Sequence, residues 1–263
     1  MSRIIAVMVE PTSLTEKSYW DRKWDARAPA RRLNLREYLN SRIAAMLADV
    51  LPPTPARVLE VGAADSLWLP YLGSTYGYEV VGVDYSRVGC QRLVANLAEM
   101  PGEAMVVEGD VTQPCFAPGS FDVVFSNGFI EHFTEYGQLV ALFRSWLKPR
   151  GLLITLVPNK HYAFRYVEQW IAPTQYHAHV LIEPSDLQKA YEQAGLQEIV
   201  AGYLGSFATW KYNSKAKGLT RWLLRVSAKA IGWPVHTVLR TTGWTPESRM
   251  FSPLVYAVGR APQ

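Results

Sequence analysis

The sequence predicts an α/β fold: a doubly wound, mostly parallel sheet with helices on both faces. Three observations predict it. Short, almost continuously apolar segments recur along the chain. Amphipathic segments of helical period separate them. Acids, amides or a glycine follow several of the apolar segments, where the loops at one edge of a parallel sheet would lie.

Residues 13–50 read as helical, most clearly 35-LREYLNSRIAAMLADVL-51, whose apolar residues fall at three- and four-residue steps before 52-PPTP-55 stops the pattern. Strands are expected at 57-RVLEVG-62, 79-EVVGVD-84, 104-AMVVEG-109, 121-FDVVFS-126 and 151-GLLITLV-157. Helical patterns occupy 66–76, 86–99 and 134–148 between them. Strands apolar on both faces belong to a sheet covered on both sides, and right-handed crossovers make that sheet doubly wound. Residues 158–183 are rich in Tyr, Trp and His and have no clean period. A helix over 184-PSDLQKAYEQAGL-196 carries Pro-Ser-Asp at its start and Gly195 at its end. Two further strands, 197-QEIVAGYL-204 and 253-PLVYAVGR-260, flank a basic, Trp-bearing insertion at roughly 210–248.

The 263 residues are 49% hydrophobic and 19% charged, an ordinary globular composition with ample material for one core. A formal charge of +4 is too weak to indicate nucleic acid, though it suits an anionic ligand or surface. Cys90 and Cys115 have no Cys or His at metal-ligand spacing and read as inert thiols. The apolar start, 4-IIAVMV-9, is shorter than a signal-peptide core, and no run approaches the ~20 apolar residues of a membrane span. A cytoplasmic location is the expectation.

The chemistry follows the strands. In 58-VLEVGAADSLWLPYL-72 a strand ends at Glu60-Val61-Gly62. Gly62 permits close approach of backbone to a ligand, and a helix start beyond it would offer free N–H groups. Asp84 closes the second strand, where an acid accepts two hydrogen bonds from a vicinal diol such as a ribose. Tyr85 beside it offers a flat face to a purine. Asp110 follows the third strand and can accept from an exocyclic amine. Ser126-Asn127-Gly128 ends the fourth, with Glu131-His132 just beyond.

The series EVGAADS, VVGVDYS, GDV, FDVVFSNGFIEHF and LKPRGLLITLVPN resembles class I S-adenosylmethionine-dependent methyltransferases acting on small molecules. The resemblance covers about residues 55–205, with the last strand at 253–260. It implies a seven-stranded sheet whose last strand is inserted antiparallel, and one domain over 1–263 with 13–50 as a helical cover. It also implies roles: Glu60, Gly62 and Ala64 on the methionine side, Asp84 on the ribose hydroxyls, and Tyr85 on the adenine. Asp110 and Val111 would read the adenine edge, and Asn127 and Gly128 would line the methionine end. The family usually has glycine where Ala64 and Ser66 stand. A sulfonium cofactor has no pyrophosphate to seat against the backbone, so small non-glycine residues are tolerable.

Methyl transfer needs an aligned nucleophile and, for a hydroxyl or protonated amine, a base. Candidate bases are His132, His177 and His179, with Glu131 placed to orient His132. Some similar quinone-type O-methyltransferases carry an acid three residues before the Glu of Glu-His. Gly128 stands there, and His177-Ala-His179 alone is too little for zinc, so no metal is expected. The N-terminal 17-KSYWDRKWDARAP-29 resembles the family's leading Tyr-Trp segment, making Tyr19, Trp20 and Trp24 candidates for the acceptor wall. Tyr162 and Tyr176, from the aromatic 158–177, join them. Lys217, Arg221, Arg225 and Lys229 recur every four residues along one helix face. With Trp233 and Trp244 they suit peripheral contact of 217–244 with an anionic membrane, a dimer contact, or packing on the core. Two other functions fit less well. A nicotinamide-dependent oxidoreductase would want spaced glycines for pyrophosphate, and Asp65 would repel that group. A non-catalytic cofactor-binding or membrane-adaptor protein would rest on the altered loop and the basic helix. The acceptor is expected to be a small molecule, and the protein a monomer or homodimer.

Overall fold

The computed structural model describes residues 11–26, 32–113, 115–162, 178–206 and 234–263. Seven strands form one sheet in the order β3-β2-β1-β4-β5-β7-β6. They are β1 (Arg57–Val61), β2 (Glu79–Asp84), β3 (Ala104–Glu108), β4 (Phe121–Asn127), β5 (Leu147–Pro158), β6 (Gln197–Leu204) and β7 (Leu254–Arg260). β1 to β5 pair in parallel, whereas β7 lies antiparallel between β5 and β6. Among the described residues the helices are α1 (Lys17–Asp25), α2 (Tyr38–Val50), α3 (Trp68–Tyr76), α4 (Arg87–Leu97), α5 (Tyr136–Trp146), α6 (Pro184–Gln193) and α7 (residues 234–242).

Alternation along the strands explains the two layers. Leu59 and Val61, Val81 and Val83, Val124, and Leu153 and Val157 face α5 and α6 in one buried cluster. Val58, Val80, Val123 and Phe125, and Leu152, Ile154 and Leu156 face α2, α3 and α4 in the other. A period of two with apolar residues on both faces gives the near-continuous runs seen in the sequence. The chain crosses from β3 to β4 by way of the far side of β1. β1 and β4 are therefore neighbours at the switch point, and their carboxyl ends open a crevice.

The helix expected over 13–50 is two helices, α1 and α2, preceded by an extended segment. Residues 12–14 run extended beside 132–134: Leu14 N–H donates to His132 O (2.8 Å) and Thr134 N–H to Thr12 O (3.1 Å). Asn34 turns the chain before α2, accepting from Arg36 N–H at its side chain and from Glu37 N–H at its carbonyl. α6 starts with a reciprocal capping box between Glu183 and Asp186, and Gly195 follows it at φ +75°. Most of the basic insertion, including Lys217, Arg221, Arg225, Lys229 and Trp233, lies outside the described residues. Its end is α7, which seats Leu239 in the core and stacks His236 on Tyr38, while Trp244 is 62% exposed. No helix among the described residues is long and apolar enough to cross a membrane.

Candidate active site

A cavity of roughly 1050 Å³ opens at the carboxyl ends of β1, β2 and β4. That is the upper end of the range for small-molecule sites, with room for two ligands. Glu60, Gly62, Ala64, Asp84, Tyr85, Asp110, Val111, Asn127 and Gly128 all line it, as the sequence led us to expect. Trp20, His132 and His179 line its other end, and Trp24 lines it beside Ala64 and Gly89.

The turn after β1 is built from its neighbours. Gly62 has φ +70°, and its N–H and that of Ala63 both donate to Val83 O. A Cβ on Gly62 would sit 2.5 Å from a ring carbon of Phe129, so the loops after β1 and β4 meet here without a side chain between them. The expected free N–H groups are not free. Ala64 N–H donates to Asp84 Oδ2 (3.2 Å), and Ser66 Oγ accepts from Trp68 N–H and Leu69 N–H at the start of α3. Ser66 also donates to Glu60 Oε2 at 2.6 Å. Serine in the usual glycine place thus caps the helix and holds the acid of β1. The expectation for Asp65 also needs correction: Asp65 pairs with Arg92 at 3.1 Å, which offsets the repulsion it would offer a phosphate. Absence of spaced glycines is the surviving objection to a dinucleotide.

Asp84 accepts at both oxygens, from Ala64 N–H and from Ser86 N–H (2.8 Å). Each oxygen keeps a lone pair toward the cavity. Ser86, rather than Asp84, caps α4 by accepting from Gly89 N–H. Burial pushes Asp84 up to about 6, opposed by those two N–H groups. Burial pushes Glu60 up to about 8, against the pull of the Ser66 hydroxyl and with a push from Asp84. Buried carboxyls short of donors are arranged to receive hydroxyl or amine hydrogens from a ligand. Tyr85 stands half-buried beside Asp84, and Asp110 is held by Thr112 through Oδ1.

At the other end, Ile130–His132 forms a single 3-10 turn. Glu131 and His132 are both buried. His132 Nδ1 lies 2.8 Å from Ala178 O. A carbonyl only accepts, so Nδ1 carries the hydrogen and Nε2 keeps a lone pair. Orientation of the imidazole therefore comes from Ala178, and Glu131 Oε1 stands 3.8 Å from Nε2, beyond hydrogen-bond reach. Burial first, then the nearby Lys23 and Lys160, lowers His132 to about 4, so the ring is neutral. Burial raises Glu131 to about 8. Trp20 meets the His132 ring edge-on at 4.8 Å, and His179 lies 4.6 Å away on another side.

The remaining candidates separate. Tyr19 packs edge-on against Trp20 and does not line the cavity. Tyr162 is buried at 4% exposure, also outside its wall. Tyr176 and His177 lie outside the described residues. Three contributors went unseen in the sequence: Phe129 over Gly62, Asp21, which accepts from Ser86 Oγ (2.6 Å) and ties α1 to the cofactor end, and Thr15 beside Tyr85. Pairing of 12–14 with 132–134 and docking of α1 on α4 bring the last two there, and no local signal announces either. Neither Gly128 nor its neighbours supply a further acid beside Glu131. Folding instead brings His179 there, and the ligand atoms of Glu131, His132 and His179 lie within 4.8 Å of one another.

Sheet order, the antiparallel seventh strand and an acid-lined crevice at the switch point define a Rossmann-like class I methyltransferase fold. A methyltransferase-domain family model matches residues 32–201, and the chain belongs to that family, whose cofactor is S-adenosylmethionine. A probable chloroplastic tocopherol O-methyltransferase of Oryza sativa subsp. japonica is 26% identical over 238 residues, 86% of this chain and 62% of that protein. A ubiquinone biosynthesis O-methyltransferase of Cereibacter sphaeroides is 27% identical over 199 residues, 70% of this chain and 79% of its own. Among solved structures, a Haemonchus contortus phosphoethanolamine N-methyltransferase 2, in complex with phosphomonomethylethanolamine and S-adenosylhomocysteine, superposes with a TM-score of 0.63. It is 16% identical, over 85% of this chain and 53% of that one. The chain thus spans under two thirds of the rice protein and about half of the nematode one.

Proposed function

We propose that the protein methylates an oxygen or nitrogen of a small-molecule acceptor, using S-adenosylmethionine bound between Gly62, Asp84 and Asp110. One observation carries this: a single cavity runs from the acids after β2 and β3 to the neutral His132 at the turn after β4. When bound there, the sulfonium supplies an activated methyl group. The chain's own residues do the rest. Asp84 accepts from the ribose hydroxyls with its cavity-facing lone pairs, and Tyr85 gives the base a flat partner. Trp20 and Trp24, carried by α1, cover the cavity and limit water. His132 Nε2, its tautomer fixed by Ala178, can hold the proton of an acceptor hydroxyl or ammonium.

Calorimetry with S-adenosylhomocysteine tests the cofactor assignment: micromolar binding is expected, and preference for NAD would favour an oxidoreductase instead. Incubation with isotopically labelled S-adenosylmethionine and a panel of phenols, quinols, sugars and amines then tests the acceptor class. Labelled product with one equivalent of S-adenosylhomocysteine is the expected result. Turnover of label with no acceptor, or with none of the panel, would count against it.

A further inference from the structure

We infer that the acceptor is a vicinal diol: one hydroxyl lies at His132 Nε2 and takes the methyl, and the adjacent hydroxyl hydrogen-bonds the Glu131 carboxyl. This deepens the methyl-transfer function proposed above and rests on it for the fate of the first hydroxyl, but not for the binding of the pair. Three observations carry it. First, Glu131 lines the cavity at 2% exposure, and its Oε2 has no hydrogen-bond partner among the described residues. A buried carboxyl with an unanswered oxygen beside a ligand cavity is completed by a polar group of the ligand. Second, Gly128 leaves that carboxyl uncovered. Its φ is +71°, and a Cβ placed there would meet Glu131 Oε1 at 3.5 Å. Third, Oε1 stands 3.8 Å from His132 Nε2, whose lone pair is the acceptor left by the Ala178 contact. The hydrogens of two adjacent hydroxyls diverge, so the atoms that receive them stand farther apart than the oxygens themselves. Two acceptors 3.8 Å apart, each reached over about 2.8 Å, fit that fork.

The carboxyl selects hydroxyl over ammonium. Burial holds Glu131 at about 8, so it is largely protonated near neutral pH. A protonated carboxyl donates as well as accepts, and a hydroxyl answers both, whereas an ammonium only donates. Lys23 and Lys160 add to the preference, because their fields reach Glu131 and His132 and oppose a further cation. The hydroxyl oxygen at His132 forms the new bond to the methyl carbon, whose bond to sulfur breaks with its electron pair left there, and the proton passes to Nε2. The hydroxyl at Glu131 keeps its hydrogen. A monohydroxylic acceptor of the same shape leaves the carboxyl buried and unanswered, and a site of that kind discriminates strongly against an analogue lacking the group.

The test is calorimetry on the full chain, with and without saturating S-adenosylhomocysteine. Catechol is compared with phenol and with resorcinol, its 1,3 isomer, and cis-1,2-cyclohexanediol with cyclohexanol. At least one vicinal diol should bind about ten-fold or more tightly than its monohydroxylic partner. Which one does so tells an aromatic diol from a saccharide-like one, and preference for catechol should extend over resorcinol. Glu131→Leu removes both oxygens and should bring the diol down to the affinity of the monohydroxylic compound, whose own affinity stays within a few-fold. Unchanged affinity for S-adenosylhomocysteine in that variant shows that it folds. Wild type that binds neither vicinal diol at millimolar concentration, or binds resorcinol or the monohydroxylic compounds as well, would overturn the inference, whatever the variant does. A diol preference that survives in Glu131→Leu would overturn it too, by placing the second hydroxyl elsewhere. Failure of S-adenosylhomocysteine to bind wild type would instead remove the methyl-transfer function and leave a diol preference standing.

Discussion

His132 Nδ1 and Ala178 O stand 2.8 Å apart, which makes the carbonyl of one segment the orienting partner of an imidazole on another. Val180 N–H donates to Glu131 O at 2.7 Å, so the contact is doubled by backbone. The His132 end of the cavity is therefore set by residues 178–180 as much as by the turn that carries His132. Replacing His132 by Gln keeps a hydrogen-bond donor near Ala178 but removes the imidazole lone pair. Methyl transfer to the acceptor identified in the panel should fall by about 10²- to 10⁴-fold, the usual contribution of an acid–base group. Calorimetry should find S-adenosylhomocysteine binding within a few-fold of wild type. Loss of that binding would mean that His132 supports the fold rather than the reaction.

Asp84 lines the cavity while it is held by Ala64 and Ser86 N–H groups. Asp84→Ala removes a charged acceptor, and such hydrogen bonds contribute roughly 1.5–3 kcal/mol, so S-adenosylhomocysteine affinity should drop by one to two orders of magnitude. The carboxyl titrates near 6 because of its burial, and it accepts best when ionised. Affinity in wild type should accordingly weaken as pH falls below about 6, and the Asp84→Asn variant should lack that dependence. Titrations at several pH values in one buffer series would show it.

Much of this was legible along the chain, for identifiable reasons. Each strand of the parallel half announces itself because both faces are buried, and each cavity-lining residue at a strand end because it follows such a strand. Asp84, Asp110 and Asn127 were found in this way. Contacts that depend on tertiary docking were not legible. Thr12 to Leu14 pair with His132 to Thr134 across more than a hundred residues, and nothing local marks either side. His179 joins Glu131 and His132 only because residues 178–180 fold back onto the turn after β4. Ser66 was seen as a departure from glycine, yet its bonds to Glu60, Trp68 and Leu69 make it a structural replacement for the missing flexibility.

Trp20 lines the cavity edge-on to His132, with its Nε1–H on Thr15 Oγ1 at 2.9 Å. Trp20→Ala removes a large apolar wall without touching Asp84. Loss of one such contact is worth about 1.5–3 kcal/mol, so the acceptor KM should rise by ten-fold or more. The cofactor KM should change little. A rise in the cofactor KM alone would mean that Trp20 covers the cofactor instead.

Gly62→Ala adds two strains at one place. Its φ of +70° disfavours any side chain, and the new Cβ would lie 2.5 Å from Phe129 Cδ2. A backbone strain of this kind costs on the order of 1–3 kcal/mol, so chemical denaturation should show that loss of unfolding free energy as a lower midpoint at unchanged slope. Made in a Phe129→Ala background, which lacks the ring atoms at 2.5 and 3.0 Å, the same substitution should recover the steric part only, because the dihedral cost stays. Full recovery would mean that the loop relaxes freely and that the positive φ matters little. No recovery would mean that the ring is not what meets the added carbon.

Glu60 gives a pH dependence whose sign follows from its environment. Burial holds its carboxyl at about 8 in the folded chain, against an ordinary value of 4.5. Between these values the folded state binds more protons than the unfolded one, so stability is greatest at the acid end and falls as pH rises toward 8. His132, lowered from 6.5 to about 4, acts in the opposite sense, but only between those two values. From pH 6.5 to 8 the carboxyl therefore acts without that opposition. Thermal melts should show Tm declining over this interval, with a shallower decline in Glu60→Gln. The amide keeps an acceptor for the Ser66 hydroxyl and cannot ionise. An unchanged slope in that variant would mean that Glu60 is already ionised at neutral pH, with its charge answered inside the cavity.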